Sequence, residues 1–535
     1  MRRGKIVPWL VLLLAVVSSA VVLFLAVGRT LDALADDPTT LAVPSEEVRM
    51  YWASLVVLLA STPPFVALVK SGGKLWKKSF DRNRAYALMV ASRLWLVATL
   101  EWFRIRAYVD LTVYLTLPFE FYGPMAQNYP PVLGFFATFL SAQQVALFSF
   151  APVTYDPIAS VYVPALPRLT NLGLDLAVTF FLEQSVALRL TKDSSALLSD
   201  EGYEEAIRTK VVLLSAASPF TLVIAYVWCT PDMLVVLTNV LVVHELLQDR
   251  HASAGVFLAL STLTKLVGLL FVLPLAVSWV ARRKWKFLAM ASFGFAATCA
   301  VATVAYWLTL NPDLLEHNMV TFFLSWISED RLPGFPFYDN AWLWLSRAGF
   351  PKVAVFSDAL VWGVLLAYAT RVRRFEFEPY QFVCAFAIFS ALFWSFSPWW
   401  WVISATWFPP YLAGAWNGSE RRPRAGVSKE GGGKVHSPST RRAVASATWG
   451  GLAYWFIFVV LLLTLLSADP RLGHRATLRD TFFLKCPYFV WLATGYVTFL
   501  VAQVSLVLTG FKLAGRRDAS RRESQRAEWK AKLHP

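Results

Sequence analysis

The chain has 535 residues, of which 57% are hydrophobic and only 16% are charged, and its mean hydropathy is positive. A soluble globular domain carries about 25% charged residues, so the composition excludes that class and predicts an all-α polytopic membrane protein. The net charge of +15 does not indicate nucleic-acid binding, because the basic residues cluster in short connections between apolar runs.

The cysteines and histidines predict no metal centre and no disulfide framework. None of the four cysteines belongs to a C-x-x-C pair, and the six histidines have no metal-ligand spacing. The N-terminal apolar run extends to Val27, which is longer than the hydrophobic region of a signal peptide. We therefore expect an uncleaved signal anchor.

The first three predicted spans set the orientation of the chain. Spans at about 6–28 and 51–69 flank an acidic loop, whereas the connection at 70–84 holds six basic residues and one acid. Because cytoplasmic loops are enriched in Lys and Arg, the N-terminus and this connection are predicted to be cytoplasmic. The third span, at about 85–103, then delivers Asp110 to the opposite face.

The apolar run at 131–152 is long enough to cross a membrane, but the loop charges argue against a crossing. The next connection, 153–167, has no basic residue, and a crossing would invert every later loop. We therefore predict a juxtamembrane or re-entrant helix that lies at the interface.

The remaining apolar runs bring the total to about 14 transmembrane helices, with both termini in the cytoplasm. These later spans are predicted at about 168–189, 209–228, 232–248, 252–264, 266–281, 287–309, 353–370, 379–396, 399–415, 447–467 and 488–512. The predicted domains are an N-terminal transmembrane hairpin (1–84), a catalytic transmembrane core (85–415), a flexible basic cytoplasmic linker (416–446), a C-terminal transmembrane hairpin (447–512) and a basic cytoplasmic tail (513–535).

Asp110 is the first candidate for chemistry, because it follows an apolar helix at its non-cytoplasmic end. A carboxylate there stays wet enough to ionise while the helix holds it in place, which suits a general base. Glu120 is the second choice for this role. The alternative is an ordinary interfacial acid that pairs with Arg104 or Arg106. The rigid turn that ends in Tyr129-Pro130-Pro131 closes the same loop.

Two basic residues are candidates for binding a phosphate. Lys265 lies among apolar residues at membrane depth, where a charge is costly and is a functional candidate by default. The alternative is a lysine that snorkels from a helix end. Arg331, in the long outer loop at 311–351, is the second phosphate candidate. Asp175 and Asp232 are predicted to be structural, as caps or as hydrogen-bonding groups between helices.

The order and spacing of three short motifs resemble the GT-C superfamily of polyprenyl-phosphate-sugar-dependent glycosyltransferases. The motifs are Asp-Leu-x-Val-Tyr at 110–114 with Tyr-Pro-Pro at 129–131, the region 218–280 around Pro231-Asp232 and Lys265, and Phe-Ser-Pro-Trp-Trp at 396–400. Similar motifs occur in the dolichol-linked glucosyltransferases of N-glycan assembly and the mannosyltransferases of glycolipid-anchor assembly. The resemblance implies that Asp110 is the catalytic base and that Lys265 lies near the donor phosphate.

The chain departs from this family in two ways. Three helices precede the acidic loop where the family has one, and the site has a single Asp where many relatives have paired acids. We read the first departure as an N-terminal hairpin addition. Because of the second, we predict no metal and no cofactor.

The expected function is an inverting hexosyltransferase of the plasma membrane of a prokaryote or of the endoplasmic reticulum. It would move mannose or glucose from a polyprenyl-phosphate carrier to a lipid-linked or protein-linked glycan acceptor on the non-cytoplasmic face. The predicted substrate-binding residues are Lys265, Arg331, Glu120, Tyr129 and Arg106. Two alternatives remain, a non-catalytic lipid-binding subunit with the same fold and a polytopic transporter or flippase.

Overall fold

The fold is that of a computed structural model, which describes the greater part of the chain up to residue 411. The described residues are 6–36, 45–70, 81–105, 115, 131–151, 153–156, 161–193, 201–265, 268–309, 342, 345, 349–350, 352–373, 379–393, 406–411, 497, 500–501, 503–504 and 507–508.

Helices make up nearly all of these residues. They are α1 (Ile6–Asp36), α2 (Ser45–Lys70), α3 (Arg82–Trp102), α4 (Pro131–Phe148), α5 (Ala165–Asp193), α6 (Glu201–Ala216), α7 (Asp232–Leu247), α8 (His251–Lys265), α9 (Leu269–Ala281), α10 (Trp285–Thr309), α11 (Val353–Val372) and α12 (Pro379–Leu392). A helical turn at Pro219–Thr221 and a π-helix at Leu222–Val227 connect α6 to α7. The described residues contain no strand, and one isolated bridge pairs Asp156 with Val161.

Six helical segments in the described ranges are long and apolar enough to cross a membrane, and one of them, Glu204–Val227, includes both α6 and the π-helix. Two shorter apolar helices, Leu269–Ala281 and Gln381–Leu392, accompany them. The prediction of an all-α chain with membrane-length apolar helices is therefore confirmed for the residues described. The total of about 14 spans stays a prediction.

The predicted span at 209–228 is not one continuous helix. Helix α6 begins earlier, at Glu201, and ends at Ala216. Ser218 then accepts a hydrogen bond from the Thr221 amide at 3.3 Å and starts the short turn before the π-helix. The break occurs here because Pro219 has no N–H to continue the hydrogen-bond ladder of the helix.

Helices α3 and α5 run antiparallel and define the two ends of the bundle. Arg82, at the start of α3, lies 3.6 Å from Glu183 near the end of α5. Glu101, at the end of α3, lies 3.6 Å from Arg168 near the start of α5. We call these the Arg82 end and the Glu101 end.

Helix α4 lies in the segment that joins the Glu101 ends of α3 and α5. It is long and apolar enough to span a membrane, but the chain leaves α3 and enters α5 at the same end of the bundle. An even number of crossings, zero included, must therefore separate the two helices. Near its own end, α4 bonds to the segment just before α5 through Gln144, which accepts from the Val163 amide at 3.0 Å. The juxtamembrane interpretation of 131–152 fits this arrangement and stays a prediction.

The N-terminal hairpin is bonded directly to the central helices. Thr30 on α1 donates a hydrogen bond to the Glu101 carboxylate at 2.8 Å. On α2, Ser54 accepts from the indole N–H of Trp228 at 2.8 Å, and Tyr51 packs edge-on against the same indole. The hairpin thus contributes contacts at the Glu101 end of the bundle.

Candidate functional site

Of the six site residues predicted from sequence, the structure describes Lys265. Asp110, Glu120, Tyr129, Arg106 and Arg331 lie outside the described residues. The candidate site therefore consists of Lys265 and the polar groups around it at the Glu101 end.

Lys265 forms an ion pair with Asp232. The lysine Nζ lies 2.5 Å from Asp232 Oδ1, and the two side chains are 15% and 1% exposed. Asp232 is the first residue of α7 and Lys265 is the last residue of α8, so each charge also interacts favourably with the dipole of its own helix. The pair joins these helix ends and leaves the ammonium group partly accessible.

The ion pair bears on the two interpretations of Lys265, a phosphate-binding residue or a snorkelling lysine, and on the structural role predicted for Asp232. A snorkelling lysine extends its charge into water, whereas this lysine bonds to a buried carboxylate. Asp232 is structural in the sense predicted, because it ties α7 to α8. A lysine ammonium has three donors, so the contact with Asp232 leaves hydrogen-bonding capacity for an anion.

A second polar contact lies deeper between the same two helices. Ser261, one turn before Lys265 on α8, donates to the Asn239 side-chain oxygen on α7 at 2.8 Å. Both side chains are buried. This bond fixes the register of α7 against α8, and with it the facing positions of Asp232 and Lys265.

Asn171 on α5 holds the turn that precedes Asp232. Its amide donates to the carbonyl of Ala225 at 2.8 Å and to that of Thr230 at 3.2 Å. The backbone of this turn is unusual, because Cys229 has a positive φ of 55° and Pro231 has no N–H. Asn171 therefore replaces backbone hydrogen bonds that the turn cannot make for itself.

Arg168, one turn before Asn171, contacts three separate parts of the chain. Its Nε donates to the Tyr226 carbonyl at 2.8 Å, and its Nη2 donates to the Ile105 carbonyl at 2.7 Å. Its Nη1 lies 3.6 Å from Glu101. Ile105 is the last described residue before the segment that carries Asp110.

A separate buried network lies further along α5, toward the Arg82 end. Arg93 on α3 pairs with Asp175 at 3.0 Å and donates to the carbonyls of Ser215 and Ala216. Tyr226 donates its hydroxyl to the same Asp175 carboxylate at 3.0 Å. Asp175 thus bonds between helices, as the sequence predicted, and Arg93 satisfies carbonyls at the broken end of α6.

Cys229 is not a candidate nucleophile. Burial raises the pKa of its thiol to about 12, so the reactive thiolate is absent near neutral pH. In the part of the chain described here, no group of three His, Cys, Asp or Glu side chains could hold a metal ion.

Sequence reasoning named Asp175 but missed that it belongs to a polar face of α5. Arg168, Asn171 and Asp175 follow the spacing i, i+3, i+7, which places them on one side of a helix. A polar stripe of this kind within an apolar run predicts an inward-facing surface with partners. Glu101 and Arg93 belong to the same class, since each is a charge within the run predicted as the third span.

No protein-family model matches the chain, and no curated protein sequence is significantly similar to it. The resemblance to the GT-C superfamily therefore rests on the motifs quoted from the sequence.

Proposed function

We propose that this protein is an integral-membrane inverting glycosyltransferase that moves a hexose, mannose or glucose, from a polyprenyl-phosphate carrier to an acceptor hydroxyl. The observation that carries the proposal is the partly accessible ammonium of Lys265, held by the buried Asp232 at the Glu101 end of the bundle. The loop that contains Asp110 starts from the same end.

Chain length limits how far Asp110 can lie from this end. Ile105 and Leu115 each stand five residues from Asp110, and five residues span at most about 17 Å. Ile105 bonds to Arg168, while Leu115 belongs to the same small hydrophobic cluster as Cys229, three residues before Asp232. Both anchors are thus tied to the 226–229 segment that leads to Asp232, one through Arg168 and the other by packing, which supports a shared site for the carboxylate and the ammonium.

The proposed reaction is a single displacement. The Asp110 carboxylate accepts the proton of the acceptor hydroxyl, whose oxygen forms a bond to the anomeric carbon of the donor sugar. The bond between that carbon and the phosphate oxygen breaks on the opposite face, so the configuration inverts. Lys265, with Arg331, stabilises the negative charge on the departing polyprenyl phosphate. Glu120, Tyr129 and Arg106 are proposed to bind the substrates.

We also propose the number of membrane spans and their orientation, which go beyond the helices described above. In this proposal the protein has about 14 spans, a GT-C-like core at 85–415 with juxtamembrane helices in the first outer loop, and both termini in the cytoplasm. The active site then faces the outside of a prokaryotic plasma membrane or the lumen of the endoplasmic reticulum. The loop charges support this orientation.

The test uses purified full-length protein in lipid nanodiscs with a panel of radiolabelled polyprenyl-phosphate sugars and glycan acceptors. We expect label transfer from one donor, and a roughly 10²–10⁴-fold loss of kcat in Asp110→Asn. Asp156→Asn is the matched control, because Asp156 is an exposed carboxylate in the same connection between α3 and α5.

The result that would overturn the proposal is wild-type transfer by Asp110→Asn. A wild-type protein that binds one of the donors and transfers nothing would instead identify a non-catalytic lipid-binding subunit. Net movement of the intact donor across proteoliposomes would identify a flippase.

A further inference from the structure

We infer that Arg168 is a positioning residue for this reaction. It holds Ile105, the residue before the segment that carries Asp110, against the segment 226–232 that leads to Asp232. The inference rests on the proposed function. It assigns to the first turns of α5 the task of holding the general base and the phosphate-binding pair in one geometry.

The contacts of Arg168 join three segments that are distant in sequence. Its guanidinium, 0% exposed, bonds to the Ile105 carbonyl after α3 and to the Tyr226 carbonyl in the π-helix, and it faces the Glu101 carboxylate. Glu101 is itself held by Thr30 of α1. The end of α3 and the start of the 226–232 turn are therefore fixed through one side chain.

The guanidinium group of arginine is suited to making these three contacts at once. It presents five donors in a rigid planar fork, so it can serve two carbonyls and a carboxylate in different directions. A lysine has one compact ammonium on a flexible stem and cannot reproduce the fork. The Arg168→Lys substitution keeps the charge opposite Glu101 but loses the simultaneous hold on Ile105 and Tyr226.

Asn171 holds the other half of the proposed site independently of Arg168. It bonds to Ala225 and Thr230, directly before Asp232, and makes no described contact with the end of α3. Loss of the Arg168 fork is therefore expected to displace the Asp110 loop more than the Asp232–Lys265 pair. Because misplaced reacting groups lower the rate of the bound complex, kcat falls while KM for the donor changes little.

Arg93 is a matched control from the same protein. It is also a buried arginine that pairs with a carboxylate and bonds to two backbone carbonyls, those of Ser215 and Ala216. None of these three contacts is to Ile105. The Arg93 guanidinium also lies over the Tyr226 ring, 5.3 Å from its centroid, and a lysine keeps the positive charge that such a contact needs. Arg93→Lys and Arg168→Lys thus make the same chemical change, in one case at a residue with no described bond to Ile105 and in the other at the residue that holds Ile105.

The kinetic experiment compares wild type, Arg168→Lys and Arg93→Lys as full-length proteins in nanodiscs. We expect a roughly 10- to 100-fold loss of kcat in Arg168→Lys with KM for the polyprenyl-phosphate sugar within about twofold of wild type. For Arg93→Lys we expect kcat within about threefold of wild type. Equal kcat losses in both variants would overturn the inference, as would a loss in Arg168→Lys confined to KM.

Hydrogen–deuterium exchange gives a readout that does not depend on activity. We expect Arg168→Lys to speed exchange roughly tenfold in peptides that cover 103–115 and less in peptides that cover 226–232, which Asn171 still holds. Arg93→Lys should instead speed exchange in peptides that cover 213–221. Unchanged exchange at 103–115 in Arg168→Lys would overturn the inference even if activity fell.

The kinetic and exchange experiments together distinguish failure of this inference from failure of the proposed function. If wild type transfers sugar and the two lysine variants behave alike, Arg168 has no positioning role and the proposed function stands. If wild type transfers no sugar from any donor, the proposed function fails and so does the role of Arg168 in it, whatever the exchange at 103–115 shows.

Discussion

Lys265 Nζ lies 2.5 Å from Asp232 Oδ1, and the two residues close the interface between α7 and α8 at the Glu101 end. The carboxylate is buried and the ammonium is partly accessible, so the two members of the pair differ in what they can contact. Asp232 serves the fold, while Lys265 retains donors for an incoming anion.

Stability and activity should separate in variants of this pair. Lys265→Met leaves the buried Asp232 without this charge partner, and loss of one partner of a buried pair costs about 3–5 kcal/mol of unfolding free energy. The double variant Lys265→Met with Asp232→Asn removes both charges and should recover most of that loss. Thermal unfolding in detergent measures the effect.

Transfer activity should not recover in the double variant. Removal of a group that stabilises charge on the leaving oxygen lowers kcat by about 10²–10³-fold, and neither replacement side chain supplies a positive charge. Steady-state kinetics of the single and double variants check this expectation. A double variant with wild-type kcat would show that Lys265 has only a structural role.

The packing of α8 against α10 provides a prediction that is independent of function. A Cβ built on Gly255 would lie 2.0 Å from the carbonyl oxygen of Ala291, and a Cβ on Gly294 would lie 2.2 Å from that of Ala252. Since these neighbours are backbone atoms, the helices would have to separate. Gly255→Ala and Gly294→Ala should each cost about 1–3 kcal/mol, as measured by thermal unfolding.

Gly173 and Gly363 are matched controls for these substitutions. A Cβ at either position meets no atom within 4 Å, and alanine favours a helix over glycine by about 1 kcal/mol. Gly173→Ala and Gly363→Ala should therefore leave the melting temperature unchanged or raise it. Comparable destabilisation in all four variants would argue against close contact between α8 and α10.

The sequence predicts the class of fold well because apolar length and loop charge are local properties. It does not predict the break between α6 and the π-helix, since the freed carbonyls of Ser215 and Ala216 are satisfied by Arg93 on another helix. The bond between Trp228 and Ser54 spans 174 residues of chain. Pairings of this kind depend on how helices cross, which hydrophobic periodicity does not specify.

The candidate site was predictable only in part for a similar reason. Lys265 stands out in sequence because it is a charge among apolar residues. Its partner Asp232 lies 33 positions earlier, and the sequence predicts it to be a cap or a hydrogen-bonding group between helices without identifying its partner. Only the antiparallel course of α7 and α8 brings the two charges together.

Cys229 offers a check on the geometry of the turn before Asp232. Burial raises the pKa of its thiol from the usual 9.0 to about 12, so the protonated, unreactive form should persist well above pH 9. We expect no maleimide modification of Cys229 in the folded protein at pH 8, and rapid modification after denaturation, as measured by mass spectrometry. Prompt labelling of the native protein would mean that the turn is open to solvent.

Orientation in the membrane can be tested with two engineered cysteines. Thr154 is an exposed residue in the connection between α4 and α5, near the Glu101 end, and Lys286 is an exposed residue at the start of α10. The charge pattern predicts that these positions face opposite sides of the membrane, with Lys286 in the cytoplasm. In a background with Cys299 and Cys486 replaced by serine, Thr154→Cys should react with an impermeant maleimide only from the outer or luminal side. Lys286→Cys should react only after permeabilisation of the membrane. If both engineered cysteines are labelled from the same side, the proposed topology is refuted, and with it an outward-facing site for Asp110.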